Sequence, residues 1–247
     1  MPVYRAQRTE VYRLQQFLTE KEVHYVLDTI HRSDLSAYIS NKTEDTDKMG
    51  NIVHTTTYLQ TNDLFRKRFG WLERRLRRLV KTVNTKQKWD FDLKQCSFFN
   101  IRVAEYHDMY TGGSLPFPKH YDIGSLITVD IMLKEATSGG EFQTLERSET
   151  NNIVEYDQIQ TQTQIETAAV VGTEKKVETG TETGVEALKA HKFEVGDALV
   201  FVSHKYHSVT PVQTGNRKVL VIEFWQGKRR KCGHRCDKPM GICTFRD

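Results

Sequence analysis

The stretch His-Lys-Tyr-His-Ser-Val-Thr-Pro-Val-Gln-Thr-Gly-Asn-Arg, residues 204–217, decides the fold. It lies between two apolar segments, 198–202 and 218–225, which have the composition of strands. The Gly-Asn pair before Arg217 predicts a turn, so Arg217 begins the last strand, ten residues after His207. The planar guanidinium of Arg217 suits a bidentate contact with a carboxylate. A surface arginine at the end of a hairpin is the ordinary alternative.

A second short pattern, His120-Tyr121-Asp122, places an imidazole and a carboxylate two positions apart. Side chains at i and i+2 of a strand point to the same face, so both groups can reach one metal ion. A His-x-Asp pair by itself arises often by chance and is weak evidence. With His207 added, two imidazole nitrogens and one carboxylate form a facial set that suits iron(II) and leaves three coordination positions open.

Helical patterns occupy the N-terminal region of the chain. Thr19 begins the first helix, because Glu22 stands three residues later and completes a capping box. Asn62 or Asp63 is expected to cap a second helix. The polar residues 33–51 are predicted to be a loop. The apolar positions that define the helices are Val23, Val26, Leu27 and Ile30 in the first, and Phe65, Phe69, Leu72, Leu76, Leu79, Val80 and Val83 in the second.

From about residue 89 the pattern changes to short alternating segments separated by glycine turns. Helices first and strands afterwards indicate an α+β fold whose β region is a sandwich or barrel. The predicted strands are Trp89–Leu93, Phe99–Ala104, Ser125–Leu133, Ala198–Val202 and Lys218–Trp225.

Five motifs follow one another along the chain: His120-x-Asp122, Gly139-Gly140-Glu141, Gly196-Asp197, His207-x-Val209-x-Pro211-Val212 and Gly215-x-Arg217. Their order and spacing resemble the iron(II)/2-oxoglutarate-dependent dioxygenases of the prolyl 4-hydroxylase type, over roughly residues 89–227. The resemblance implies a double-stranded β-helix (jelly roll) core with N-terminal supporting helices.

The resemblance also implies the site. His120, Asp122 and His207 would be the iron(II) ligands and form the catalytic centre, and Arg217 would bind the distal carboxylate of the cosubstrate 2-oxoglutarate. Oxygen is the second cosubstrate, and ascorbate is a further candidate cofactor.

Two assignments within the site depend on position. Tyr106 precedes the first ligand by one strand, where the resemblance implies a tyrosine hydroxyl on the cosubstrate. His204 is the alternative third ligand; His207 is preferred because Val-x-Pro-Val follows it and because Arg217 comes ten residues later. Lys218 neighbours Arg217, but side chains alternate along a strand, so only one of the two can face the cavity.

The implied reaction is hydroxylation of an unactivated C–H bond, with release of succinate and carbon dioxide, on a peptidyl side chain of the prolyl type. Asp122 keeps the carboxylate that related halogenases replace with a small residue. Glu223 stands where nucleic-acid demethylases of the superfamily carry a second arginine. Hydroxylation or oxidative cyclisation of a free amino acid or small metabolite is the alternative, and a non-catalytic jelly-roll binding module is a third.

The predicted organisation is a single dioxygenase domain, residues 1–227, in which residues 1–88 are helical and residues 89–227 form the jelly-roll core. The core contains a polar segment, 146–189, with nine acidic and four basic residues. Such a composition is typical of a mobile excursion or an extended polar hairpin, and its place near the cavity mouth motivates the hypothesis of a substrate-covering flap. Residues 228–247 form a basic, cysteine-containing tail.

The tail carries Cys232, His234, Cys236 and Cys243, which together could hold a structural zinc ion. Their spacing fits no standard pair of Cys-x-x-Cys knuckles, and a mobile basic tail is the alternative.

Composition is that of an ordinary soluble globular protein: 247 residues, 38% hydrophobic, 28% charged and a net charge of +4. No aromatic residues for base stacking interrupt the basic face of the second helix, so a solvated face is expected and nucleic acid is not an expected partner. No run of 18 apolar residues and no apolar leader are seen, and the cysteines are few, so a cytoplasmic or otherwise intracellular location without a membrane is expected. The basic face consists of Arg66, Lys67, Arg68, Arg74, Arg75, Arg77, Arg78 and Lys81.

Overall fold

The computed structural model describes residues 1–32, 42–93, 99–148 and 185–236. Its helices are α1 Val3–Ala6, α2 Glu20–His31 and α3 Leu64–Lys86, the last preceded by a 3-10 turn Thr61–Asp63. Its strands are β1 Tyr12–Leu14, β2 Lys42–Thr46, β3 Ile52–Tyr58, β4 Phe99–Met109, β5 Leu115–His120, β6 Ile127–Lys134, β7 Ser138–Gly139, β8 Phe142–Ser148, β9 Val185–Ala190, β10 Ala198–Val202, β11 His207–Val209, β12 Val212–Thr214 and β13 Arg217–Gln226.

The described strands form two main antiparallel sheets. The larger has seven strands in the order β1-β10-β6-β13-β4-β3-β2, and the smaller has four in the order β5-β11-β8-β9. A short pair, β12 and β7, joins their ends. The predicted α+β architecture is confirmed.

Two apolar clusters hold these layers together. The first packs α2 and α3 against one face of the larger sheet, through residues such as Val26, Leu72 and Leu220. The second lies between the two sheets and includes Phe142 from β8 and Phe201 from β10. Besides these apolar side chains, the space between the two sheets contains polar side chains, which are described in the next section.

The predicted ends of the helices are confirmed for α2 and only partly for α3. Thr19 and Glu22 form the capping box at the start of α2. Asp63 occupies the N-cap position of α3, but its side chain makes no capping hydrogen bond. It forms an ion pair with Lys231 at 2.6 Å instead. The prediction of a side-chain cap is therefore wrong: the Asp63 backbone is left-handed, with φ 62° and ψ 23°, whereas a capping side chain needs the extended backbone of a typical N-cap residue.

Two predictions of local structure are also wrong. Residues 42–46, expected to belong to a loop, form β2 at the edge of the larger sheet and pair with β3. An edge strand exposed to solvent needs no apolar alternation, which explains why the pattern missed it. Residues 89–93 are not a strand: Asp90 has a positive φ of 59°, and the Asn84 side chain bonds the backbone of Phe91 on both sides.

The flanks of the polar insertion pair with each other. β8 and β9 are antiparallel, from Gln143 opposite Ala190 to Ser148 opposite Val185. The flap hypothesis concerns the segment 146–189, of which residues 149–184 lie outside the described residues. None of the described helices is long and apolar enough to cross a membrane.

Candidate metal centre

The two ligand motifs meet because β5 and β11 are neighbours in the smaller sheet, where His207 pairs opposite His120. Asp122 follows the end of β5, and its amide donates to the Ser203 carbonyl at 2.8 Å. One ligand atom from each of His120, Asp122 and His207 lies within 4.8 Å of the others. The Nε2 atoms of His120 and His207 are 3.5 and 4.0 Å from Asp122 Oδ1. The structure thus brings the three predicted ligands around one point.

His207 is oriented for coordination through Nε2. Its Nδ1 lies 2.9 Å from the Lys205 carbonyl oxygen, so Nδ1 carries the hydrogen and donates, which leaves the lone pair on Nε2. Burial lowers the pKa of His207, although the nearby charge of Asp122 opposes this. A neutral imidazole with its lone pair directed at the carboxylate is the form that binds a metal ion.

Asp122 is held at both carboxylate oxygens. Thr128 Oγ1 donates to Oδ2 at 2.7 Å, and Arg235 Nη2 donates to Oδ1 at 2.7 Å. Burial alone would raise the pKa of Asp122, but His207, the hydrogen bond from His120 and the charge of Arg235 outweigh it and hold this pKa well below its usual range. The carboxylate is therefore ionised.

Arg217 is buried, at 3% exposure, and two of its nitrogens, Nε and Nη2, have no hydrogen-bond partner among the described residues. The guanidinium lies over the Phe193 ring, 5.8 Å from its centroid. Burial lowers the pKa of Arg217 to about 10, against the opposing charge of Asp130. A buried cation with unpaired donors is costly without an anion, so this arrangement is suited to a bound carboxylate.

A cavity of about 160 Å³ lies beside Arg217 and is lined by Phe142, Phe193 and His191 among others. Phe142 also stacks on the ring of His207, with centroids 5.7 Å apart. One side chain thus lines the cavity and supports the third ligand. Gly140 gives the arginine its room: it has a φ of +71°, and a Cβ there would lie 3.1 Å from Arg217 Cδ.

Asp130 is a buried acid that the sequence analysis did not select. It precedes Met132 and follows Thr128 at alternate positions of β6, the face turned towards the smaller sheet. Burial, together with the nearby charge of Asp122, raises the pKa of Asp130 to about 8, and the charge of Arg217 opposes the rise. The signal that could have found it is the polar pair at 128 and 130 in an otherwise apolar strand.

Tyr106 lies on the opposite face of the larger sheet. Its ring belongs to the cluster beneath the helices, and its hydroxyl is 3.3 Å from His31 Nε2 on α2. Lys218, on that same face, pairs with Asp108 at 2.9 Å. Arg217 therefore faces the cavity and Lys218 does not, as expected from alternation, whereas the placement of Tyr106 gives no support to its expected contact with the cosubstrate.

His204 stands apart from the metal centre. Its Nδ1 lies 3.0 Å from the Met1 carbonyl oxygen, and its ring packs edge-on against Tyr121. Among the described residues, the group that includes His120 and Asp122 contains His207 and not His204.

A chain of polar side chains adjoins Asp122 on the inner face of the larger sheet. His54 Nε2 is 2.9 Å from His107 Nδ1, and His107 Nε2 is 3.0 Å from Glu105 Oε2. Glu105 then pairs with Arg235 at 3.2 Å, and Arg235 reaches Asp122. No local pattern in the sequence marked His107 or Arg235.

No family model matches the sequence, and no curated protein matches it either. Solved structures do match its fold. The epimerase SnoN, in complex with Fe3+, alpha ketoglutarate and nogalamycin RO, is 13% identical, with 91% of this chain and 82% of that chain covered and a TM-score of 0.55. A Pseudomonas putida prolyl-4-hydroxylase is 13% identical, with 92% and 97% covered and a TM-score of 0.50. A prolyl hydroxylase from Trichoplax adhaerens, in complex with a hypoxia inducible factor peptide fragment, is 12% identical, with 91% and 87% covered and a TM-score of 0.51.

Each of these structures covers more than nine tenths of this chain. At such low identity they establish the fold: the chain has the architecture of the 2-oxoglutarate- and iron-dependent oxygenases. The double-stranded β-helix core with N-terminal supporting helices, expected from the motif series, is confirmed.

Proposed function

We propose that this chain is an iron(II)- and 2-oxoglutarate-dependent dioxygenase that hydroxylates an unactivated C–H bond. The observation that carries the proposal is a buried arginine with unpaired donors, Arg217, placed beside a cavity whose wall, Phe142, also supports His207. A metal site alone would fit many reactions. A metal site with a carboxylate receptor beside it fits a dicarboxylate cosubstrate.

The residues present fit both groups. Two imidazoles and one carboxylate are the donor set of non-haem iron(II) sites with open positions. His120, Asp122 and His207 would hold the ion, and the orphaned nitrogens of Arg217 would receive the distal carboxylate of 2-oxoglutarate. Bound iron(II), with 2-oxoglutarate and oxygen, supplies the oxidising chemistry that hydroxylates the substrate and yields succinate and carbon dioxide.

The protein's own residues then orient and insulate the reactants. The Lys205 carbonyl holds the His207 ring, and Thr128 and Arg235 hold the Asp122 carboxylate, so that the ligands are pre-positioned. Phe142 and Phe193 are buried against the cavity and exclude water from it. A dry surrounding strengthens the attraction between Arg217 and a carboxylate.

For the substrate we propose a peptidyl side chain of the prolyl type. Two large apolar side chains next to the ligand segment support a polypeptide: Phe117 on β5 is 64% exposed and Ile123, directly after Asp122, is 58% exposed. Exposed apolar side chains beside a site favour a partner that covers them. The peptide complex of the Trichoplax adhaerens enzyme supports the same choice.

The test is succinate formation with iron(II), 2-oxoglutarate and oxygen, with and without ascorbate, over a panel of proline-containing peptides, free amino acids and small metabolites. Peptide-dependent succinate is expected, and turnover only with a free amino acid or metabolite would replace the peptide by the alternative substrate class. His120→Ala and Asp122→Ala are expected to abolish turnover. Wild-type turnover in both variants would refute the metal assignment, and His204→Ala serves as the matched histidine control.

A further inference from the structure

The C-terminal segment 228–236 packs against the rest of the molecule at several points. The amide of Asn62 donates to the Lys231 carbonyl at 3.0 Å, and Gln60 Nε2 donates to the His234 carbonyl at 3.3 Å. Arg229 forms ion pairs with Glu73 on α3. This segment is therefore an ordered region of the fold, with its backbone held next to the 3-10 turn before α3.

Three potential metal ligands of this segment converge. One ligand atom from each of Cys232, His234 and Cys236 lies within 4.8 Å of the other two. The cysteines are 8% and 6% exposed, and the histidine between them is half-buried. The segment is not a strand and bends at residues 233–234, between the two cysteines.

We propose that Cys232, His234 and Cys236 form a second metal site, which binds zinc. Thiolates and imidazoles are the ligands that zinc prefers, and two cysteines with one histidine leave the fourth tetrahedral position open, whereas the two-histidine and one-carboxylate set around Asp122 suits iron. A tetrahedral zinc, with Zn–S of about 2.3 Å and Zn–N of about 2.0 Å, places its ligand atoms roughly 3.5–3.8 Å apart. The three atoms need to approach by about 1 Å at most, which side-chain rotation supplies. Cys243 lies outside the described residues, and the site rests on the three ligands alone.

The site has a structural consequence for the first metal centre. Arg235, between the second and third zinc ligands, pairs with Glu105, Glu223 and Asp122. The carbonyl of Cys236 accepts a hydrogen bond from Arg102, which itself pairs with Glu223 at 3.1 Å. His234 and Cys236, the neighbours of Arg235 in the sequence, would bind the same zinc ion. The ion would therefore fix the backbone that positions the Arg235 guanidinium against the Asp122 carboxylate.

Zinc content tests the site independently of the proposed oxygenase function. The His120→Ala/Asp122→Ala variant lacks the first metal centre, so zinc that it retains after desalting reports the second. About one zinc per chain is expected by elemental analysis, because a tetrahedral site of this kind binds one ion. A variant that retains none would overturn the proposal, and so would native protein in which Cys232 and Cys236 are joined in a disulfide.

Cobalt(II) identifies the donor atoms. Wild-type protein stripped of metal and reloaded with cobalt(II) is expected to show a thiolate-to-cobalt charge-transfer band, which histidine and carboxylate ligands do not produce. The band should be lost in Cys232→Ser and in Cys236→Ser and kept in His120→Ala. A band that survives in both cysteine variants, or that only His120→Ala removes, contradicts the assignment. If the cysteine variants do not fold, absence of the band in His120→Ala is itself sufficient to reject it.

Discussion

Arg217 and Glu223 are both ionisable, both buried and on the same face of β13, yet their surroundings are opposite. Two nitrogens of Arg217 have no partner among the described residues. Glu223 accepts hydrogen bonds from Ser125 at 2.5 Å, from Arg102 at 3.1 Å and from Arg235. A buried ionisable group whose oxygens all accept hydrogen bonds stabilises the fold. A buried group whose N–H donors have no acceptor is suited to bind a ligand.

We call the region around Glu223 the saturated end of β13 and the region around Arg217 its open end. Removal of a charge should lower the stability of the protein more at the saturated end than at the open end. Arg235→Met leaves Asp122, Glu105 and Glu223 without their shared cation, and breaking a buried pair of this kind costs about 3–5 kcal/mol. The free energy of unfolding, measured in urea, should fall by this order. Arg235→Lys, which keeps the charge, is the control and should lose less. Equal stability of Arg235→Met and wild type would remove the contrast between the two ends.

The open end should respond in ligand binding and hardly in stability. Arg217→Gln removes an unpaired buried cation, so the unliganded protein should unfold at the same temperature as wild type or higher. Loss of a charge partner costs about 2 kcal/mol or more, so the KM for 2-oxoglutarate should rise by at least about 30-fold.

Lys218→Gln, on the other face of the same strand, is the matched control and should leave the KM for 2-oxoglutarate unchanged. An Arg217→Gln protein that loses stability and keeps its KM would reverse the comparison, because Arg217 would then serve the fold.

Asp130 provides a pH test of the open end. Its pKa in the folded protein is about 8, above the usual value of about 3.9. The folded state therefore keeps a proton that the unfolded state releases, so the stability contribution is present below about pH 4 and is lost as the pH rises through about 8.

The Asp130→Asn variant cannot ionise at this position, so its stability should not decrease as the pH rises through about 8. Relative to wild type, the variant should gain about 2 kcal/mol in the free energy of unfolding between about pH 6 and about pH 8. Parallel stability profiles of the two proteins over that range would show that Asp130 is ionised throughout, as a partner of Arg217.

The smallest effect is expected at Thr128, which donates to Asp122 Oδ2 and pairs opposite Glu223 in the sheet. Thr128→Val removes this hydrogen bond and a second one, between Thr128 Oγ1 and Ser203 Oγ at 2.9 Å. Each is worth about 1 kcal/mol, and loss of such a support typically weakens metal binding by about 10-fold or more. Cobalt(II) titration measures the affinity of the first metal centre. Thr128→Ser keeps the hydroxyl and should bind like wild type; equal weakening in both variants would point to packing as the cause.

Much of this molecule follows from short-range patterns. Several predicted features are present in the structure: the capping box at Thr19, the apolar face of α3, and the strands that contain Ile127 and Ala198. They can be predicted because backbone capping and burial periodicity depend on residues a few positions apart. The His120-x-Asp122 pair is different: it was predicted to lie on one strand, but β5 ends at His120, and Asp122 is held by the hydrogen bond from its amide to the Ser203 carbonyl.

Other features depend on which distant segments pack together. Tyr106 has the composition and position of a cavity residue, but the register of β4 turns it towards α2 and His31. Asp63 has the right position for a helix cap, but its backbone is left-handed and its carboxylate pairs with the distant Lys231. Neither placement can be predicted from residues that are close in the sequence.

Amino-acid order was therefore sufficient to select the three candidate metal ligands and Arg217, because the order and spacing of the motifs resemble those of a known family. The tertiary structure alone shows that Arg217 is left with unpaired donors among the described residues, that Glu223 is saturated, and that Arg235 reaches Asp122 from 113 positions away in the sequence. Whether a buried charge is satisfied is decided by long-range packing, because its partner comes from whichever segment fills the neighbouring space.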